Sequence, residues 1–164
     1  MTRGAAGLIV ALALAAPLAA RDSLGMYGAW GAFRDPQVPR CYAIAKAQPS
    51  SSARDYQPYF SVGSWPRRAI RGQVHLRLSR ALAQSPNIRL ALGDQRFELT
   101  GGGGDAWAKN RAMDAAIVAA MRAAGSMAVS ATDTRGRRFT DRYSLAGVAT
   151  ALDAATIGCA RVAR

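Results

Sequence analysis

The chain has 164 residues, enough for one domain with a real hydrophobic core and little left for a second. It carries 22 Lys and Arg against 10 Asp and Glu, a formal charge of +12, with one histidine and two cysteines. That inventory excludes a zinc site built from Cys and His and excludes CxxC redox chemistry, and its arginine excess suits anionic partners.

Arg3 precedes an almost unbroken apolar run from Ala5 to Ala16; Pro17 breaks it, and Leu18-Ala19-Ala20 supplies small residues for cleavage. The run is short for a bilayer core of ~30 Å, and no stop-transfer pattern follows. Residues 1–20 therefore read as a secretory signal peptide cleaved near Ala20, and residues 21–164 as one exported domain, periplasmic or secreted. An uncleaved N-terminal anchor is the alternative. Export would place Cys41 and Cys159 in an oxidising compartment, where an even count favours a bridge over two buried thiols.

Leu24 to Phe33 is a Gly/aromatic stretch, followed by a turn at Asp35-Pro36 and Pro39. Arg40 to Lys46 reads as a strand with Cys41, Ala43 and Ala45 on one side, and Gln48 to Asp55 as a polar loop. Tyr56 to Val62 reads as a strand that Pro58 confines to an edge, and Trp65 through Gly72 as a basic turn. In Gln73 to Arg80, Val74, Leu76 and Leu78 alternate with His75, Arg77 and Ser79, the period of a half-buried strand. Ile88, Leu90 and Leu92, a turn at Gly93-Asp94, then Phe97 and Leu99 predict a hairpin.

Gly101 to Gly104 reads as a flexible joint. Beyond it Met113, Ile117, Met121 and Ala124 fall on one face of a helix over 110–124. Met127 to Ala131 and Arg138 to Tyr143 read as strands around a turn holding Arg135-Gly136. Ser144 reads as the N-cap of a last helix over 144–157, stopped by Gly158.

The run from Asp114 to Leu152 resembles the invasion associated locus B family of exported α-proteobacterial proteins. Its closing pattern is Ser144-Leu145-Ala146-Gly147-Val148-Ala149-Thr150-Ala151-Leu152, and Trp30 followed by Arg40-Cys41-Tyr42 is similar to the family's aromatic start and first cysteine strand. The resemblance implies a β-rich periplasmic or outer-membrane-associated domain and brings no catalytic residue with it. The family's cysteine pair before the long helix is missing from Trp107 to Met113, so Cys41 and Cys159 are left as the one available pair.

The fold expected is α+β, an antiparallel sandwich-like domain with the two helices packed on it. No catalytic constellation or cofactor motif stands out. His75 sits on an outward strand face with no Asp or Ser partner nearby in sequence; Gly101 to Gly104 lacks the Gly-Lys-Ser/Thr of a phosphate loop; Asp94 and Glu98 read as turn and outward strand residues. Two basic clusters remain as candidate anion sites: Arg67, Arg68 and Arg71 beside Trp65, and Arg135, Arg137, Arg138 and Arg142. In the second, alternation would point Arg137 and Arg138 to opposite faces, with Phe139 on the face of Arg137. Export argues against nucleic acid, leaving lipopolysaccharide, anionic lipid or an acidic envelope protein as partners; a GC-rich genome, which favours Arg and Ala codons together, explains the same charge. The reading is a non-enzymatic exported protein acting by binding, with a small periplasmic enzyme, or an inhibitor or structural partner of an acidic protein, as the alternatives.

Overall fold

A computed structural model describes residues 21–160, so the expected signal peptide lies outside the described residues. In chain order the elements are β1 (Asp22–Tyr27), β2 (Trp30–Asp35), β3 (Arg40–Lys46), β4 (Tyr59–Trp65), β5 (Ile70–Arg77), β6 (Ile88–Leu92), β7 (Gln95–Gly102), β8 (Asp105–Trp107), α1 (Arg111–Ala123), β9 (Met127–Thr132), β10 (Arg138–Tyr143) and α2 (Val148–Ala160). A short 3-10 turn, Pro66–Arg68, links β4 to β5. All strands pair antiparallel in the order β1-β2-β3-β4-β5-β8-β7-β6-β9-β10.

β7 makes the sheet fold on itself. Its first half pairs with β6 (Leu99 opposite Ile88) and its last three residues pair with β8 (Gly101 opposite Ala106), so one strand serves both halves. Phe60 of β4 meets Tyr143 of β10 edge-on at 5.8 Å between ring centroids, across a single core. Strand alternation supplies that core: Ala32, Ala43, Val62 and Val74 lie side by side on four neighbouring strands, and Leu90 and Val129 pair across β6 and β9. Both helices close it, α1 through Ile117 and Met121 and α2 through Val148, Ala151, Leu152 and Ala155. This is the expected α+β sandwich-like arrangement.

α1 is capped by the Asn110 side chain, which accepts from the Met113 N–H at 2.9 Å. One turn in, Asp114 is buried and its Oδ1 accepts from the Val74 N–H at 2.8 Å. β8 is so short that it pairs only with residues 75–77 of β5, and the carboxylate satisfies the amide just before them. Cys159 of α2 is bonded to Cys41 of β3, with Cα atoms 5.5 Å apart. The bond ties the last helix to the core side of the third strand.

Several expectations change. The Gly/aromatic stretch forms β1 and β2. β4 is an interior strand, because Pro58 stands just before it rather than within it; the Pro58 carbonyl accepts from the Ala47 N–H. Gly101 to Gly104 is the β7–β8 hairpin, and the carbonyls of Gly103 and Gly104 accept from Leu82 and Leu78. Ser144 does not cap α2: its hydroxyl accepts from the Ala146 N–H in a local turn, and the helix starts at Val148. Gly158 does not stop the helix, which runs through it to Ala160; a Cβ there would collide with Leu24.

The closing pattern is a docking device. Trp30 Nε1 donates to the Ser144 carbonyl at 2.8 Å and the Ala29 N–H donates to the Ala146 carbonyl at 3.1 Å. Gly147 has φ of +84° and lies against the Tyr27 carbonyl, where a Cβ would clash. The glycine thus lets the chain turn tightly over the β1–β2 hairpin into α2.

Two outcomes test this packing. Reduction of Cys41–Cys159, whose sequence separation is 118, should lower the unfolding free energy obtained from urea titration by an amount approaching ~4–5 kcal/mol in the chain-entropy limit, and the denatured, unreduced protein should show no reactive thiol. Asp114→Ala should cost about 1–3 kcal/mol at pH 7 by leaving the Val74 amide unpaired, whereas Asp114→Asn keeps an acceptor and should cost little. Burial raises the Asp114 pKa. The protonation-linked part of its contribution is therefore full below the unfolded value of about 3.9 and is lost as pH rises through the higher folded value, while the hydrogen bond to Val74 persists at pH 7; Asp114→Asn should remove that slope. Equal losses in the two variants at pH 7 would contradict the assigned role.

Candidate ligand-binding face

The core uses one face of the β2–β5 and β8 half-sheet, and the other face carries side chains of a different kind. Two rows run across neighbouring strands. Ile44, Ser61, His75 and Trp107 pair in one, and Lys46, Tyr59, Arg77 and Asp105 in the next. Residues two apart on a strand share a face, so both rows point away from the core. Phe33, Tyr42, Tyr56, Tyr59, Trp65 and Trp107 all lie outside the core cluster. Half of the chain's twelve aromatic residues are thus used elsewhere than in the core.

At the β8 side of this face, His75 Nε2 lies 3.1 Å from Asp105 Oδ1, and Arg77 is paired with Asp105 Oδ2 at 2.5 Å. The His75 ring stacks on Trp107 (5.2 Å, 25°) and meets the Tyr59 ring edge-on at 5.6 Å. The Arg77 guanidinium sits 3.9 Å from the Tyr56 ring centroid. Burial, and then the nearby Asp105 charge, push the Tyr59 hydroxyl pKa up. Trp107 remains 38% exposed, so a rigidly packed indole still faces solvent. The Asp partner absent near His75 in sequence is therefore supplied 30 residues on by β8. No hydroxyl nucleophile is held by the imidazole among the described residues; the Ser61 hydroxyl donates instead to the His75 backbone carbonyl.

At the other end of β4, Trp65 lies over Gly63, where a Cβ would come within 2.9 Å of the indole. The Arg40 guanidinium sits 4.4 Å from the Tyr42 ring centroid and 5.9 Å from that of Trp65, and Phe33 stacks on Tyr42 at 5.6 Å. The turn that follows exposes Arg67 and Arg68, and Arg71 is exposed at the start of β5. Arg111, at the start of α1, donates to the Ala69 carbonyl in the same turn. A fourth arginine joins the predicted three, and none of the four pairs with a carboxylate among the described residues.

The second predicted cluster is built differently. Buried Asp133 accepts from the backbone N–H groups of Arg135 and Arg137 and from the side chains of Arg137 and Arg80. Burial alone would raise its pKa; these four donors together hold it well below the usual carboxylate range. Arg137 thus organises the turn and lies before β10, so the expected strand alternation with Phe139 does not reach it, and Phe139 is buried in the core. Arg135, Arg138 and Arg142 are exposed. This turn is tied to Arg80 and Leu82 beyond the end of β5, whereas Arg67, Arg68 and Arg71 flank its start. An eight-residue strand, roughly 26 Å at 3.3 Å per residue, separates the two clusters, so they do not form one site.

His75 and Arg77 were legible as outward residues from the β5 alternation. No local pattern puts Asp105 and Trp107 beside them, because three-residue β8 follows four glycines and carries no periodic signal of its own.

No curated protein matches the chain. Among solved structures, it is similar to the crystal structure of invasion associated protein B from Bartonella henselae, with a TM-score of 0.57, 19% identity, and coverage of 81% of this chain and 95% of that one. At that identity the likeness establishes a common fold. The family model described as invasion associated locus B (IalB) protein matches residues 40–156, from the first residue of β3 into α2. The chain belongs to the invasion associated locus B family.

Proposed function

We propose that the mature chain is a periplasmic or secreted envelope protein that acts by binding anionic envelope components, without catalysing a reaction. The observation that carries this reading is the grouping of exposed Arg67, Arg68 and Arg71 within five residues at the β4–β5 junction, where Arg111 bonds the Ala69 carbonyl and Arg40 lies near Trp65. Arginine offers a planar fork that matches phosphate and carboxylate oxygens, and several converging guanidinium groups are needed where each alone is screened beyond about 8 Å at physiological salt. A neighbouring indole adds amphipathic area suited to a headgroup boundary. The alternative of a small enzyme is disfavoured at His75, whose imidazole is enclosed by Trp107 and Tyr59 and whose Asp105 partner is shared with Arg77.

The charge asymmetry also supports binding over mere solubility. Asp55, Asp114, Asp133 and Asp141 accept hydrogen bonds from backbone amides, and Asp22, Asp105 and Asp153 pair with arginines. The carboxylates are tied into the fold while the β4–β5 turn is left cationic.

Co-sedimentation with phosphatidylglycerol vesicles tests the reading. At about 1 kcal/mol for each basic residue at an anionic surface, the triple replacement of Arg67, Arg68 and Arg71 by Gln should weaken binding on the order of 100-fold at low salt. The same treatment of Arg135, Arg137 and Arg138 should have a smaller effect. Wild-type protein that fails to bind at low salt, or a β4–β5 triple variant that binds unchanged, would overturn it.

A further inference from the structure

We infer that the ligand of this face is a phosphorylated glycolipid, with its phosphates at the β4–β5 turn and a pyranose ring seated against Trp107. The inference rests on the reading above and adds a second, chemically different subsite to it. Arginines alone would accept any anionic headgroup; the patch around His75 is more selective.

Three features of that patch carry the argument. First, its rings are held fast. Trp107 is stacked on His75 at 5.2 Å, His75 is met edge-on by Tyr59 at 5.6 Å, and Tyr56 lies on Arg77 at 3.9 Å. A rigid aromatic face that stays partly open to water gives a C–H-bearing ring surface something to cover at little entropic cost. Second, polar groups stand at the edges of those rings. Asp105, His75 and Arg77 form one connected set, each with side-chain exposure of 26–30%. Ser61 lies beside His75 in the same row, and Thr100 is paired with Trp107 on its other side. Such donors and acceptors, alternating with aromatic faces, match a molecule with apolar faces and hydroxyl edges. A phospholipid acyl chain would cover these partly exposed groups without replacing the water they lose, at a cost. Third, the charge has the right sign. Asp105 is the one carboxylate of the two rows and is already matched by Arg77, while Lys46 is exposed in the same row.

The two subsites are joined along β4. Ser61, opposite His75, and Trp65, beside the arginine turn, are four residues apart on that strand, about 13 Å at 3.3 Å per residue. The separation suits one ligand spanning several linked groups. Among the described residues no α-helix lies between the two subsites; α1 reaches the arginine turn through Arg111 at its first residue, and both helices pack on the core side of the sheet.

The experiment uses the full mature protein and three probes: phosphatidylglycerol vesicles, lipopolysaccharide, and the phosphorylated core oligosaccharide freed of its lipid. Binding is followed by tryptophan fluorescence and calorimetry. Wild type should bind the free oligosaccharide. Trp107→Ala should weaken that binding about tenfold, the scale of one aromatic contact, and leave vesicle binding unchanged. Trp107→Phe should retain most of the affinity, and circular dichroism should show both variants folded. Replacing Arg67, Arg68 and Arg71 with Gln should weaken all three probes. If vesicles bind but the free oligosaccharide does not, or binds Trp107→Ala as tightly as wild type, the glycan subsite is refuted while the anion-binding reading stands. If the oligosaccharide binds through Trp107 and vesicles do not bind at all, the subsite stands and the lipid-surface reading falls.

Discussion

Both helices are placed on one side of the β1–β5 half-sheet, and the bond between Cys41 and Cys159 holds α2 there. The rest of the architecture depends on that one-sided covering. With Cys41 facing inward, alternation sends Ala43 and Ala45 inward as well and Tyr42, Ile44 and Lys46 outward, and pairing carries the same division across β4, β5 and β8. The small inward residues of β2 and β3, Ala32, Ala43 and Ala45, leave room for the alanine-rich inner side of α2. The bulk goes outward, where Phe33, Tyr42, Tyr59, Trp65 and Trp107 stand on a face that no helix among the described residues covers.

The acidic residues show a second division of labour. Asp55, Asp114 and Asp141 accept from the backbone amides of Ala81, Val74 and Ser79, and Asp133 gathers four donors within one turn. Each satisfies backbone groups that the strand ladder leaves unpaired; the amides of Val74 and Ser79 are buried, where an unsatisfied donor would be costly. With so many carboxylates turned to structural use, the arginine excess is left at the surface, at the β4–β5 turn and at the β9–β10 hairpin, where among the described residues Arg137 alone is paired, with Asp133.

Much of this was legible before any coordinates. The inward Cys41, Ala43 and Ala45, the alternation of Val74, Leu76 and Leu78, the β6–β7 hairpin and the helical spacing of Ile117 and Met121 each follow a single local period, and each is found as expected. The features that escaped are those set by distant contacts. β1 and β2 lack a clean alternation because Gly25, Gly28 and Gly31 interrupt it. Gly158 reads locally as a stop but is a packing position against Leu24, and Ser144 reads as a cap but lies in the turn that docks onto the β1–β2 hairpin. Of the two basic clusters, composition could not tell that Arg137 would be bound to Asp133, nor that Arg111 would arrive beside Arg67 and Arg68 from another element. The His75 patch was hidden for the same reason, since its members come from four separate segments of chain.

The central claim is that the uncovered face, from the β4–β5 turn to Trp107, is where this family member meets its ligand. Mapping amide and indole shifts of ¹⁵N-labelled protein during titration with lipopolysaccharide tests it most directly. The account predicts perturbations confined to Arg67, Arg68, Arg71 and Arg111 and to the strand positions around Trp65, Tyr59, His75 and Trp107. Perturbations centred on the β9–β10 turn, at Arg135 and Arg138, with the Trp107 indole unmoved, would contradict it.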